Sequence, residues 1–311
     1  MILEKAKPAS SFVPQAEGYH IRALLAGPPG SGKTTSALSL PGRKLLIDCD
    51  RRAAAASGFE NVSICEIVEP DSRSPRAWSE CQKLYKELWV KSKDKDFYDT
   101  IIWDGITAMS RYAMNYALLL DSKRGLGGTP AQQHYMPQMK EMTDLIRGSL
   151  GLPCHVCFTC HLELIEDADD QSSKFLPKIT GKLRTEIGSW FDETYLCQRH
   201  PGKGGKAVYS WLTTGTGKFD FLKSSLNQLG RYWTDPVELE PSLDGSKPWG
   251  FSELIERRFK KEEVKEEKVE KVASKIDYCI TDGRLKSPST MAFQNLKHKE
   301  KGKEIEKNGN I

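Results

Sequence analysis

His20-Ile-Arg-Ala-Leu-Leu-Ala26 runs without a break into Gly27-Pro-Pro-Gly-Ser-Gly-Lys-Thr-Thr35. The first stretch is short, rich in apolar residues and followed by glycine, the pattern of a buried strand. The second matches G-x-x-x-x-G-K-[ST], with Gly27, Gly32, Lys33 and Thr34 in the required places. Ser36-Ala-Leu-Ser-Leu40 beyond it is compatible with a helix. The strand before and the helix after are what make the pattern specific. Glycines let backbone N–H groups turn inward around phosphate oxygens, and the start of the helix adds its positive end. Gly27, Pro28, Pro29, Gly30, Ser31, Gly32, Lys33, Thr34 and Thr35 therefore form a candidate phosphate cradle. Lys33 would supply a point charge to the β- and γ-phosphates, and Thr34 a hydroxyl to Mg²⁺. The expected ligands are ATP and Mg²⁺.

Outward from this loop, strands and helices alternate. Lys44–Asp48 and Val62–Val68 read as strands, Trp78–Val90 as an amphipathic helix, and Thr100–Asp104 as a buried strand before a helix over Thr107–Leu120. A helix over Pro130–Leu150 returns to a strand over His155–Cys160, a polar acidic loop follows over Glu163–Ser173, and Glu193–Gln198 and Lys206–Thr213 read as further strands. Alternation of this kind predicts an α/β fold, a mostly parallel sheet with helices on both faces. Asp104 emerges at the C-terminal end of its strand, where ligands gather in such sheets, and would hold Mg²⁺ through water. A strand-end aspartate also serves as the N-cap of a following helix, and Asp104 precedes one. Asp48 and Asp50 end the strand after the phosphate-loop helix. Either could orient or deprotonate an attacking water, or serve as a turn residue.

The order of these motifs resembles the RecA-like recombination ATPases, and looks closest to the compact phage members, the Sak-type single-strand annealing ATPases. The resemblance covers roughly 18–256. It implies a RecA-like P-loop core over 18–258, after an N-terminal extension of 1–17. In that family the strand after the phosphate-loop helix ends Asp-x-Glu, with Glu the catalytic base. Here Asp48-Cys49-Asp50 puts Asp50 in that place, one methylene shorter. The metal strand ends in Asp-Ser in the family, and in Asp104-Gly105 here. Phe158-Thr-Cys-His161 matches the strand whose last residue senses the γ-phosphate, which makes His161 the sensor. Pro177-x-x-x-Gly181-Lys182 and Trp190-Phe-Asp192 are similar to the phage group, as is Lys223. The resemblance implies ATP hydrolysis with Mg²⁺, single-stranded DNA as partner with a single-strand DNA-binding protein as a further candidate, and a homo-oligomeric ring or filament. In such an assembly Lys218 or Lys223 would reach the ATP of the neighbouring subunit. Lys123 and Arg124, in the glycine-rich loop Lys123–Thr129, and Lys182 are the candidate DNA contacts. That loop reads equally as a solvated connection.

Two other functions remain open from the residues. A regulatory P-loop NTPase or loader acting on a protein partner is one. A nucleotide kinase is the other, disfavoured because no compact arginine cluster follows the core. No Asn-Lys-x-Asp element marks a guanine reader. Cys157-Phe-Thr-Cys160-His161 spells a haem-attachment pattern, but on a strand those cysteines point to opposite faces, so they read as buried small hydrophobes. His134 and His200 read as solvent-exposed.

From Lys260 to Lys275 the chain is almost purely charged, and residues 259–311 read as a disordered low-complexity tail. From Arg257 to the end there are 15 Lys/Arg against 10 Asp/Glu, leaving 31 against 32 before it. A weakly basic tail says little about partners. No stretch approaches the roughly 18 apolar residues of a membrane span, and the start of the chain lacks a signal peptide's apolar region. A cytoplasmic protein is expected, with its eight cysteines as free thiols.

Overall fold

The computed structural model describes residues 18–123, 128–166, 173–215, 217–226, 237, 239–243 and 246–258. The extension 1–17, Arg124 and the tail 259–311 lie outside them. The elements in chain order are β1 (Arg22–Ala26), α1 (Lys33–Ala37), β2 (Lys44–Asp48), β3 (Val62–Glu66), α2 (Ala77–Lys91), β4 (Thr100–Asp104), α3 (Ile106–Leu119), α4 (Gln132–Leu150), β5 (His155–Cys160), β6 (Leu162–Glu166), β7 (Ser173–Pro177), α5 (Leu183–Glu186), β8 (Glu193–Pro201) and β9 (Ala207–Leu212). Residues 251–258 are helical as well.

Seven strands form one sheet in the order β3-β2-β4-β5-β1-β8-β9. All its pairs are parallel except β8–β9. The central strands are buried along their whole length, which is why they read as continuous apolar runs rather than alternating ones. Alternation reappears as a division between two cores. Leu24, Ile47, Trp103 and Phe158 face one side with α2, α3 and α4. Leu25, Leu46, Ile102 and Cys157 face the other with α1 and the helix at 251–258. The stacked rings of Trp103 and Phe158, 6.1 Å apart, tie β4 to β5 on the first side. Helices therefore cover both faces, and the C-terminal ends of β1, β2, β4 and β5 are left together at one edge.

Three local readings are corrected. Glu163–Ser173 is not a loop throughout, because Leu162–Glu166 pairs antiparallel with Ser173–Pro177. The strand was hidden by charge: Glu163 and Glu166 interrupt its apolar residues Leu162, Leu164 and Ile165, and each face carries an acid. His134 is buried, not exposed. Its Nδ1 accepts from the Ala131 N–H at 2.8 Å and its Nε2 meets Asp121 Oδ2 at 3.0 Å, so it caps the start of α4. The helix after the phosphate loop begins at Lys33 and ends at Ala37, earlier than the span Ser36–Leu40. His200 is exposed as expected and meets Ser210 Oγ at 2.9 Å. All seven described cysteines are free, and Cys157 and Cys160 lie buried on opposite faces of β5.

Candidate nucleotide site

The phosphate loop leaves β1 at Gly27, whose N–H donates to the Cys160 carbonyl at 3.2 Å. A Cβ on Gly27 would stand 2.6 Å from both the Cys197 carbonyl oxygen and Ser31 Oγ, so only glycine lets the loop lie this close to β8. Gly30 and Gly32 take positive φ, 73° and 83°, the left-handed conformation that L side chains resist. Gly32 is the N-cap of α1, with no side chain capping it and no acid in the first turn. The first N–H groups of the helix are thereby kept for an anion.

Lys33 is buried at the base of the loop, its Nζ donating to the carbonyls of Gly27 (3.0 Å) and Pro28 (2.9 Å). Burial pulls its pKa below that of an ordinary lysine, and nearby thiols and the Asp104 and Asp50 carboxylates oppose the shift. An anionic phosphate beside it would stabilise the charged form.

Thr34 and Asp104, far apart in sequence, meet directly: Thr34 Oγ1 donates to Asp104 Oδ2 at 2.8 Å. Thr159, on β5, donates to the other carboxylate oxygen, a contact that the sequence reading did not anticipate. Asp104 is buried, and desolvation raises its pKa against the lowering effect of the two hydroxyls. Gly105, not Asp104, stands at the N-cap of α3. Hydroxyl and carboxylate oxygens suit a hard cation such as Mg²⁺, which keeps much of its shell as water and phosphate. Among the described residues, no group of three or more His, Cys, Asp or Glu side chains is placed to hold a metal ion.

The two aspartates after β2 divide their roles. Asp48 is fully buried and spends both oxygens on the turn, accepting from the N–H groups of Asp50 (3.0 Å) and Ala53 (2.6 Å). This brace holds Arg51 at a φ of 56° and turns Asp50 toward the cleft. The Asp50 carboxylate lies against Gly105: a Cβ there would be 2.8 Å from Asp50 Cγ. A serine after Asp104 would occupy the space that Asp50 fills. On its far side, Asp50 Oδ2 is 3.6 Å from His161 Nε2. His161 is fixed by its backbone, its N–H donating to Thr107 Oγ1 (3.1 Å) and its carbonyl accepting from the Lys178 N–H (2.8 Å).

Lys33, Thr34, Asp50, Asp104 and His161 thus line one cleft of about 480 Å³ with Pro29, Gly30 and Gly32. Arg51, Arg52 and Tyr209 line it too, and no motif pointed to them. The DNA candidates are not gathered there. Lys123 is exposed beyond α3, Arg124 lies outside the described residues, and Lys182 is exposed at the start of α5. Lys218 and Lys223 are exposed. Lys218 gives its carbonyl to the Phe175 N–H, and Lys223 forms a backbone bridge with Thr194 of β8.

Among the described residues, no helix is long and apolar enough to cross a membrane. No curated protein matches the chain. A family model described as an AAA domain matches residues 20–217, a span that holds the phosphate loop, Asp50, Asp104 and His161. The chain belongs to this AAA domain family, within the P-loop ATPases.

Proposed function

We propose that the protein is an ATP-hydrolysing, single-stranded DNA-binding recombination protein of RecA-like type that promotes annealing or strand pairing. In this reading Lys33 holds the β/γ-phosphates, Asp50 takes the proton of the water attacking the γ-phosphorus, and His161 contacts the γ-phosphate. Mg²⁺ bound at Thr34 and Asp104 supplies neutralisation of the phosphate charge. Asp50 is one methylene shorter than the family's glutamate, and its carboxylate lies in the space that a Cβ on Gly105 would take.

The observation that carries the DNA part is a second, larger cleft of about 1350 Å³ that shares Asp50, Arg52 and His161 with the nucleotide cleft. Lys178, Arg184 and Arg199 line it together with Phe175 and Phe219, whose rings stack 5.0 Å apart. Cations beside aromatic rings fit the phosphates and bases of a single strand. His161 faces both clefts, so a change at the γ-phosphate has a short route to bound DNA. A homo-oligomer with Lys218 or Lys223 acting on the neighbour's nucleotide is part of the proposal. Both lysines are exposed, and neither lines the nucleotide cleft of its own chain.

The test is steady-state ATP hydrolysis by the full chain, with and without single-stranded DNA, with Lys33→Ala as control. Stimulation by DNA that weakens as salt rises supports the proposal. Turnover indifferent to DNA, with no binding of a labelled single strand, overturns the DNA part and points to a protein partner. Full activity in Lys33→Ala overturns the assignment of the nucleotide site.

A further inference from the structure

Tyr209 stands on β9, 42% exposed, with its ring against the phosphate loop. A Cβ on Gly32 would meet the ring at 3.1 Å (Cδ1) and 3.4 Å (Cε1). The strand holds it there. Trp211, two residues on and so on the same face, donates Nε1 to Ser36 Oγ at 3.0 Å and packs on Phe251 at 4.9 Å. Those contacts fasten the edge strand to α1 and to the helix at 251–258. Tyr209 pairs with Arg199 in the antiparallel ladder, which places it near the C-terminal ends of the parallel strands, level with the loop.

The strand order gives the ring its meaning. Asp50, Asp104 and His161 come from the ends of β2, β4 and β5, all on one side of β1 in the sheet. β8 and β9 lie on the other side. A nucleotide with its terminal phosphate among those three residues carries its nucleoside end away from them, across the loop toward β9. Tyr209 is the only Phe, Tyr or Trp among the described residues lining this cleft.

We propose that Tyr209 is the platform on which the nucleobase stacks, so that the phosphate cradle and an aromatic ring hold the two ends of the nucleotide. The proposal rests on the loop being a nucleotide site. Stacking engages the face of a base rather than its edge.

The test measures binding of ATP and of inorganic tripolyphosphate, which has no base, to the full chain by calorimetry. Tyr209→Ala should weaken ATP about 10- to 100-fold while leaving tripolyphosphate unchanged, and Tyr209→Phe should keep both. Unaltered ATP binding in Tyr209→Ala overturns the proposal. So does an equal loss of both ligands, which would mean that the ring only props the loop at Gly32. Wild-type protein that binds neither ligand fails at the phosphate loop itself, and that result is distinct from a failure at Tyr209.

Discussion

At the scale of single residues, the site turns on the fit between Asp50 and Gly105. Gly105 has a φ of 114°, where a side chain is strained, and any Cβ would press on the Asp50 carboxylate. Gly105→Ala should therefore lower ATP turnover by about 10²-fold, the scale of a 1 Å misplacement, with little change in KM for ATP. A raised KM with unaltered kcat would show that Asp50 is not held for the chemical step. Asp50→Asn should bind ATP normally and hydrolyse it about 10²-fold more slowly in single-turnover assays. Normal turnover would move the base elsewhere.

Among the elements, β1 and β8 depend on polar groups that their apolar pattern conceals. The Ile21 N–H, just before β1, donates to His155 Nδ1 at 3.0 Å, which requires a neutral imidazole. Burial, with His20 and Arg22 nearby, lowers the His155 pKa from 6.5 to about 4. The unfolded chain thus binds more protons than the folded one between those values, and stability falls as pH drops from 6.5 toward 4. Melting temperature followed over that range should fall less steeply in His155→Gln, which keeps an acceptor but does not titrate. An unchanged slope would assign the effect to other groups, such as His20, whose pKa burial also lowers.

Glu193, at the start of β8, is fully buried and accepts from Ser225 and Leu226 N–H and from the Tyr195, Ser224 and Ser225 hydroxyls. It pins the segment after Lys223 to the sheet. Glu193→Gln turns an acceptor into a donor facing donors, and should cost about 2 kcal/mol in urea denaturation. A cost near zero would mean that the segment rearranges freely.

For the whole molecule, the decisive feature is that the two clefts meet at Pro29, Asp50, Arg52 and His161. Arg199 and Lys178 lie on the walls of the larger cleft and not of the nucleotide cleft. The double variant Arg199→Ala/Lys178→Ala should keep basal ATP hydrolysis and lose most of its stimulation by single-stranded DNA. It should also flatten the salt dependence of DNA binding by about 1.4 units of slope at most, since each phosphate contact contributes about 0.7 on single strands. Retained stimulation would put the DNA elsewhere, with the exposed Lys123 and Lys182 next to be tried.

By itself, the sequence determined what is local. A phosphate loop is a run of consecutive residues whose φ values and N–H directions follow from glycine spacing, so Gly27–Thr35 was legible, as were the buried strands ending at Asp48, Asp104 and Cys160. The tertiary structure alone decided what depends on parallel strands brought side by side from distant parts of the chain. Thr159 joins Thr34 on Asp104, Gly105 makes room for Asp50, and Tyr209 comes to rest on Gly32. None of these pairs has a spacing to read, because sheet order, and not chain order, sets which strand ends become neighbours. The same reason separates Asp48 from Asp50. Two aspartates one residue apart look equivalent on the page, and only a folded turn shows one bonded to backbone N–H groups and the other facing the cleft.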